Sequence, residues 1–197
     1  MQHKSPPVEE QVIEVDDQDQ MLSIRSRLEA HTGAGILHRA FSVFLFGGNG
    51  RLLIQKRSRN KSLWPGYWSN SCCSHPRPGE DTSSSAVRRI SEELRVHSQV
   101  QYVYKFRYQA RYEERGSEHE ICSVFLARSS DAVAINEYEV EQIDWVLPAE
   151  LDERVARSPL TFTPWLRLEW QALRGPHRDA LESFLCRNDL PQRGDPR

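Results

Sequence analysis

From Val100 to Tyr112 an apolar residue returns at every second position: Val100, Tyr102, Tyr104, Phe106, Tyr108, Ala110 and Tyr112. Side chains alternate between the faces of a strand, so a strict period of two reads as one long, half-buried β-strand. A strand of that length commits the chain to a sheet. Further strand signals lie at Val12-Ile13-Glu14-Val15, Ile121 to Ala127 and Val140 to Val146. The apolar run Phe41–Phe46, the turn Gly47-Gly48-Asn49-Gly50 and Leu52-Leu53-Ile54 read together as a β-hairpin. Those glycines are turn chemistry rather than a phosphate loop, because no helix follows them. Asp81 can cap a helix running to about Val96, with Ala86, Val87, Ile90 and Leu94 on one face. Thr163 and Pro164 fit the N-cap and first position of a helix through Leu173, with Leu166, Trp170 and Leu173 facing the core. Strands, helix, strands, helix: the expected class is α/β or α+β with a mixed sheet.

The 197 residues, 38% of them hydrophobic, suit one domain. Residues 1–10 read as a flexible N-terminal extension, 11–174 as the domain, and 175–197 as a C-terminal helix or tail, with a short amphipathic helix near Ala180 to Leu185. With 26 basic and 28 acidic residues, nothing points to nucleic acid. No apolar run reaches the roughly 20 residues that cross a bilayer, and MQHKSPPVEEQ does not carry the apolar stretch expected of a signal peptide. The expectation is a cytoplasmic protein, monomeric or weakly dimeric, with neither nucleic acid nor membrane as partner. Four cysteines, Cys72, Cys73, Cys122 and Cys186, include an adjacent pair and no CxxC spacing, so free thiols are expected. Neighbouring side chains diverge, so at most one of Cys72 and Cys73 can face a site.

Candidate chemistry concentrates in WPGYWSNSCCSHPRPGE, residues 64–80, where thiols, an imidazole, tryptophans and rigid turns crowd together. A buried thiol and a turn histidine are the plainer account. Arg89 and Glu93 stand four apart on one helix face; they form either a stabilising ion pair or an arginine for phosphate beside a carboxylate for a divalent metal. Glu118 and Glu120 share one strand face, with His119 opposite. Two such carboxylates repel unless a cation or proton lies between them, or unless they stand at an exposed strand end. His31 and His38 flank TGAGIL, either as structural histidines or as ligands.

The order AHTGAGILHRAFSVFLF, WPGYWSNSCCSHPRPGE, AVRRISEEL, FRYQARY, SEHEICSVF, FTPWL resembles the type I isopentenyl-diphosphate isomerase family over about Val12 to Trp170. That resemblance implies a Nudix-like mixed sheet sandwiched between helices. The Nudix pattern (G, five residues, E, seven residues, REUxEExGU, with U aliphatic) places Ser74 at the first glycine, Glu80 at the first glutamate and Arg88 at the arginine. Arg89 then replaces a glutamate, Ile90 is the aliphatic position, Glu92 and Glu93 are the acidic pair, and Arg95 replaces the last glycine. Losing one member of the metal-holding glutamate cluster argues for the scaffold without hydrolysis. A Nudix-type pyrophosphohydrolase is the alternative reading, and a non-catalytic Nudix-like binding module a third.

Residue by residue, the resemblance implies a metal site of His31, His38, His75, Glu118 and Glu120, holding Mn²⁺, Mg²⁺ or Zn²⁺. It implies a second ion, Mg²⁺ carried with the substrate diphosphate, at Glu93. Diphosphate contacts fall on Arg27 (lysine in many members), Arg57, Lys61 and Arg89. The substrate would be isopentenyl diphosphate and the product dimethylallyl diphosphate. Glu120, assisted by Tyr108, is assigned as acid and Cys73 as base, roles that reversibility allows to be exchanged. Trp165 would stabilise a carbocation through its π face, or else serve merely as a core residue.

Overall fold

The computed structural model describes residues 11–187. Its strands are β1 (Gln11–Val15), β2 (Met21–Ser26), β3 (His38–Phe46), β4 (Leu52–Arg57), β5 (Trp68–Ser69), β6 (Cys72–Ser74), β7 (Val100–Tyr112), β8 (Gly116–Arg128) and β9 (Val140–Val146). Its helices are α1 (Arg27–His31), α2 (Thr82–Leu94), α3 (Pro148–Arg157), α4 (Pro164–Arg174) and α5 (Arg178–Cys186). The sheet is mixed. β3 runs parallel to β8, whereas β7 with β8 and β4 with β9 are antiparallel.

Both faces of this sheet are covered, which explains the unbroken apolar run of β3. Phe41, Val43 and Leu45 pack with Ala86, Ile90 and Leu94 of α2. Phe44 and Phe46 point the other way, into a core shared with Leu151 of α3, Leu166, Trp170 and Leu173 of α4, and Leu181 of α5. The tail helix is thus built into the core; the extension at residues 1–10 and the last ten residues of the tail lie outside the described residues.

Several expectations are corrected in detail. The glycine turn forms, with Gly47 N–H donating to the Arg51 carbonyl at 2.8 Å, but β3 and β4 pair only at Phe46 and Leu52. The segment carrying β5 and β6 wedges between them. Ser71 accepts from Leu45 N–H at 2.7 Å and donates to the Leu53 carbonyl at 2.6 Å, bridging the split. The alternation of β7 also breaks once. A bulge sets Tyr102 opposite Phe125 and Tyr104 opposite Val124, leaving Tyr102 exposed. The loop EERGSE shrinks to a tight turn, so β8 begins at Gly116 and both glutamates lie inside a strand. Val87 is only half-buried.

Asp81 caps α2 as expected, accepting from Ser83 and Ser84 N–H. At the other end Arg95, standing at the Nudix glycine, adopts the left-handed conformation that glycine would favour (φ 58°). The geometry survives the substitution, and the side chain carries the strain. Replacing Arg95 by glycine should therefore raise stability by about 1 kcal/mol in urea denaturation. No gain would mean that exposed Arg95 makes a compensating contact.

Candidate active site

The strand register assembles the centre of the site. His38 on β3 lies opposite Glu120 on β8, which lies opposite Tyr108 on β7, so three strands supply one row. Two residues earlier on β8, Glu118 points to the same face, while His119 turns away to Arg107. His75 follows directly after β6, which pairs with β3. His31 closes the short helix α1. Ser26 caps that helix by accepting from Glu29 N–H at 3.2 Å, while the Glu29 carboxylate accepts from Ser26 N–H at 3.1 Å. The β7–β8 turn presses against this helix end. A Cβ on Gly116 would stand 2.2 Å from the His31 carbonyl oxygen, so only glycine fits.

His31, His38, His75, Glu118 and Glu120 each bring a ligand atom within 4.8 Å of the others, and all five are buried. Nδ1 of His31 lies 2.6 Å from the Arg27 carbonyl, and Nδ1 of His38 lies 2.7 Å from the Ile36 carbonyl. A carbonyl can only accept, so both Nδ1 atoms carry hydrogen and both Nε2 lone pairs face the cluster. His38 Nε2 and His75 Nε2 are 3.1 Å apart, and His75 Nε2 is 3.1 Å from Glu120 Oε1. Glu118 Oε2 sits 2.7 Å from His31 Nε2, and it has a donor there only when His31 is protonated.

Without a metal, a proton is the cation these side chains can supply. The Glu118 charge and hydrogen bond raise the His31 pKa against the opposing effect of burial. Burial, reinforced by the neighbouring imidazoles, pushes His75 well down. Lone pairs and carboxylate oxygens converging in a buried space are the donor set a divalent ion takes, and the residues fit it.

Next to this cluster lies a cavity of about 30 Å³ lined by Cys73, Tyr108, Glu120 and Trp165, with Arg27, Arg57, Lys61 and Arg89 around it. It adjoins a wider cleft of about 270 Å³ that shares Arg27, Arg57, Lys61 and Glu118 and is also lined by His31. The wall is aromatic: Trp64 meets Trp165 edge to face at 5.3 Å, and Tyr108 lies 6.4 Å from Trp165. Cys73 packs on this side, whereas Cys72 is fully buried against α2, so the two thiols diverge. Burial pushes the Cys73 thiol up to about 12, with Arg57 opposing, so sulfur holds its proton. Tyr108 O–H donates to Glu120 Oε2 at 2.7 Å. Burial would raise Glu120, but the neighbouring His38 imidazole and the hydrogen bond from Tyr108 bring it down, and it stays a carboxylate.

Glu93 does not line this cavity. It accepts from Arg89 at 2.5 Å, the expected helix ion pair, in a buried group that also holds Glu139 and Lys61. Glu139 was not singled out by the sequence. It sits 3.2 Å from Arg89, and although burial opposes it, Lys61 and Arg89 hold its pKa down to about 2. Glu169 was missed too, although its spacing four after Trp165 puts it on the buried face of α4. It is fully buried and accepts from Cys122 Sγ at 3.5 Å.

Sheet, helices and site together define a Nudix-fold protein: residues 36–166 match the NUDIX domain family. Two solved structures share the fold. DR0079 from Deinococcus radiodurans has TM-score 0.62 at 22% identity over 75% of this chain and 90% of its own. A MutT protein from Methanosarcina mazei has TM-score 0.60 at 16% identity over 72% and 96%. Among sequence relatives, Isopentenyl-diphosphate Delta-isomerase 1 of Photorhabdus laumondii is 37% identical over 87% of this chain and 99% of its own length. The Klebsiella pneumoniae Isopentenyl-diphosphate Delta-isomerase is 39% identical over 90% and 97%. The chain belongs to the isopentenyl-diphosphate Delta-isomerase family.

Glu169 generates a test of its own. Burial lifts its pKa from the ordinary 4.5 to about 8, so the folded chain holds it as a neutral acid. The folded state then binds the proton more tightly than the unfolded chain, and this group's stabilisation fades as pH climbs from about 4.5 to about 8. Glu169→Gln, neutral at every pH, removes that loss. The stability of the variant relative to the parent should grow steadily across this window in thermal melts. A constant difference would mean that Glu169 is ionised throughout.

Proposed function

We infer that the chain isomerises isopentenyl diphosphate to dimethylallyl diphosphate. The observation that carries this reading is the pairing of a thiol and a carboxyl, Cys73 and Glu120, around an aromatic cavity ringed by cations. The reaction adds a proton to the terminal alkene carbon and removes one from the carbon next to the diphosphate-bearing carbon. An unactivated alkene is a poor base, so the path runs through a tertiary carbocation and needs an acid, a base and exclusion of water.

Arg27, Arg57, Lys61 and Arg89 take the diphosphate, which is why so many cations gather here. Arg57 donates through Nε to the Trp64 carbonyl at 3.1 Å and through Nη2 to the Leu63 carbonyl at 2.9 Å, leaving Nη1 for phosphate oxygen. The five-residue cluster would hold one divalent ion, Mn²⁺, Mg²⁺ or Zn²⁺; Glu93 would have to leave its ion pair with Arg89 to serve a Mg²⁺ that arrives with the diphosphate. Bound, the cluster ion supplies positive charge that fixes Glu120 and sets its acidity. A protonated Cys73 thiol beside an ionised Glu120 supports the order in which sulfur carries the transferable proton. In the forward direction Cys73 then gives the proton and Glu120, with Tyr108, receives the second. This is the exchange of the first assignment, and the reverse reaction restores it. Trp165 faces the cation. A cytoplasmic enzyme working on this small substrate without nucleic acid or membrane partner completes the reading; among the described residues no helix is long and apolar enough to cross a membrane.

Incubation with isopentenyl diphosphate and Mg²⁺ in D₂O, followed by NMR, should give deuterated dimethylallyl diphosphate. Release of phosphate instead would favour the hydrolase reading. Trp165→Phe keeps most of the packing but weakens the quadrupole, so turnover should fall roughly 10-fold, about 1.4 kcal/mol of transition-state stabilisation, while diphosphate binding holds. Unchanged turnover with a lower melting temperature would make Trp165 purely structural.

A further inference from the structure

One fully buried hydroxyl touches both halves of the reaction chemistry. Ser69 Oγ lies 3.8 Å from Cys73 Sγ, 3.0 Å from Trp165 Nε1, 3.2 Å from Thr163 Oγ1 and 2.9 Å from Asn70 Oδ1. The number of donors fixes the hydrogen-bond directions. Asn70 Nδ2 donates to the carbonyls of Val43, at 3.3 Å, and Cys72, at 3.0 Å, which turns Oδ1 toward Ser69. Ser69 therefore spends its one proton on Asn70. Its two lone pairs face three donors: the Trp165 indole N–H, the Thr163 hydroxyl and the Cys73 thiol. The indole N–H is shared with Asn70 Oδ1 at 3.2 Å, which relieves the competition.

Thr163 gives a second, independent sign that this network matters. It stands at the N-cap of α4, where threonine ordinarily caps, yet its side chain makes no cap hydrogen bond and faces Ser69 instead. The backbone fixes the same junction, with Thr163 N–H donating to the Trp68 carbonyl at 2.9 Å. Ser69, Asn70 and Thr163 are all fully buried, so water does not compete.

We propose that Ser69 is a positioning residue that holds the Cys73 sulfur and the Trp165 ring in fixed relation to each other at the wall of the cavity. The proposal rests on the isomerase reading for what the held groups do. When Cys73 protonates the alkene, the S–H bond breaks, a C–H bond forms at the terminal carbon, and the S–H electron pair stays on sulfur. Ser69 can then turn its proton from Asn70 to that sulfur, while the indole N–H passes wholly to Asn70 Oδ1. The network accommodates the charge without moving a heavy atom.

The test compares Ser69→Ala with Ser69→Thr, which keeps the hydroxyl. Ser69→Ala should lower kcat by about 10-fold while KM and inorganic pyrophosphate affinity stay within about 2-fold, because the diphosphate contacts lie elsewhere. In ¹⁵N-tryptophan-labelled protein, the indole resonance missing from Trp165→Phe should shift in Ser69→Ala. Ser69→Thr should restore both kcat and resonance. An unmoved resonance with parental kcat overturns the proposal, and so does a loss in which kcat and melting temperature fall together without rescue by threonine. If Ser69→Ala does not fold, Thr163→Val reads the same network: the indole resonance should move at a nearly unchanged melting temperature, and a still resonance overturns the idea. If the parent enzyme turns over no isopentenyl diphosphate, the function fails, and the resonance still judges the hydrogen-bond network.

Discussion

Three imidazoles and two carboxylates converge within 4.8 Å in a buried space, and much of the fold serves to bring them there. Burying such groups is costly unless a cation lies among them. Their spread along the chain explains the architecture. The parallel pairing of β3 with β8 joins His38 to Glu120, although 81 residues separate them. The wedge of β5 and β6 that splits the expected hairpin delivers Cys73 and His75. The capped turn of α1 brings Arg27 and His31 together, one into the cationic ring and one into the cluster.

Polar and apolar demands meet along one row. Glu120 belongs to the His and Glu cluster through one oxygen and accepts from Tyr108 through the other. Tyr108 in turn belongs to the aromatic pocket with Trp64 and Trp165. Arg57 links that pocket to the cationic mouth, with its guanidinium 5.1 Å from the centre of the Trp165 ring. Clustered cations and an aromatic surface are therefore in contact within one corner of the fold.

The sequence revealed what periodicity encodes. The long strand from Val100 to Tyr112, with its alternation intact from Tyr104 onward, the capped helix after Asp81 and the Thr163–Pro164 helix start all appear in the structure. It concealed elements too short or too exposed to carry a pattern: β2 shows a mostly exposed surface, α1 has five residues, and α3 buries only Leu151. Single residues limited the reading in the same way. The period of two put Glu118 and Glu120 on one face, but no local pattern tied them to His31, His38 and His75; the family resemblance did. Ser69 lay within the stretch that drew notice for its cysteines, yet a serine carries no chemical signal until its neighbours in space are known. Glu139 became visible only when Lys61 and Arg89 were seen beside it.

The central claim, that one divalent ion sits among these five side chains, can be read directly from Mn²⁺-loaded protein by pulsed electron paramagnetic resonance. The account predicts couplings to three imidazole nitrogens from a single bound ion, one of them lost in His75→Ala. A spectrum of hydrated Mn²⁺ without nitrogen coupling, or one unchanged by His75→Ala, would contradict it.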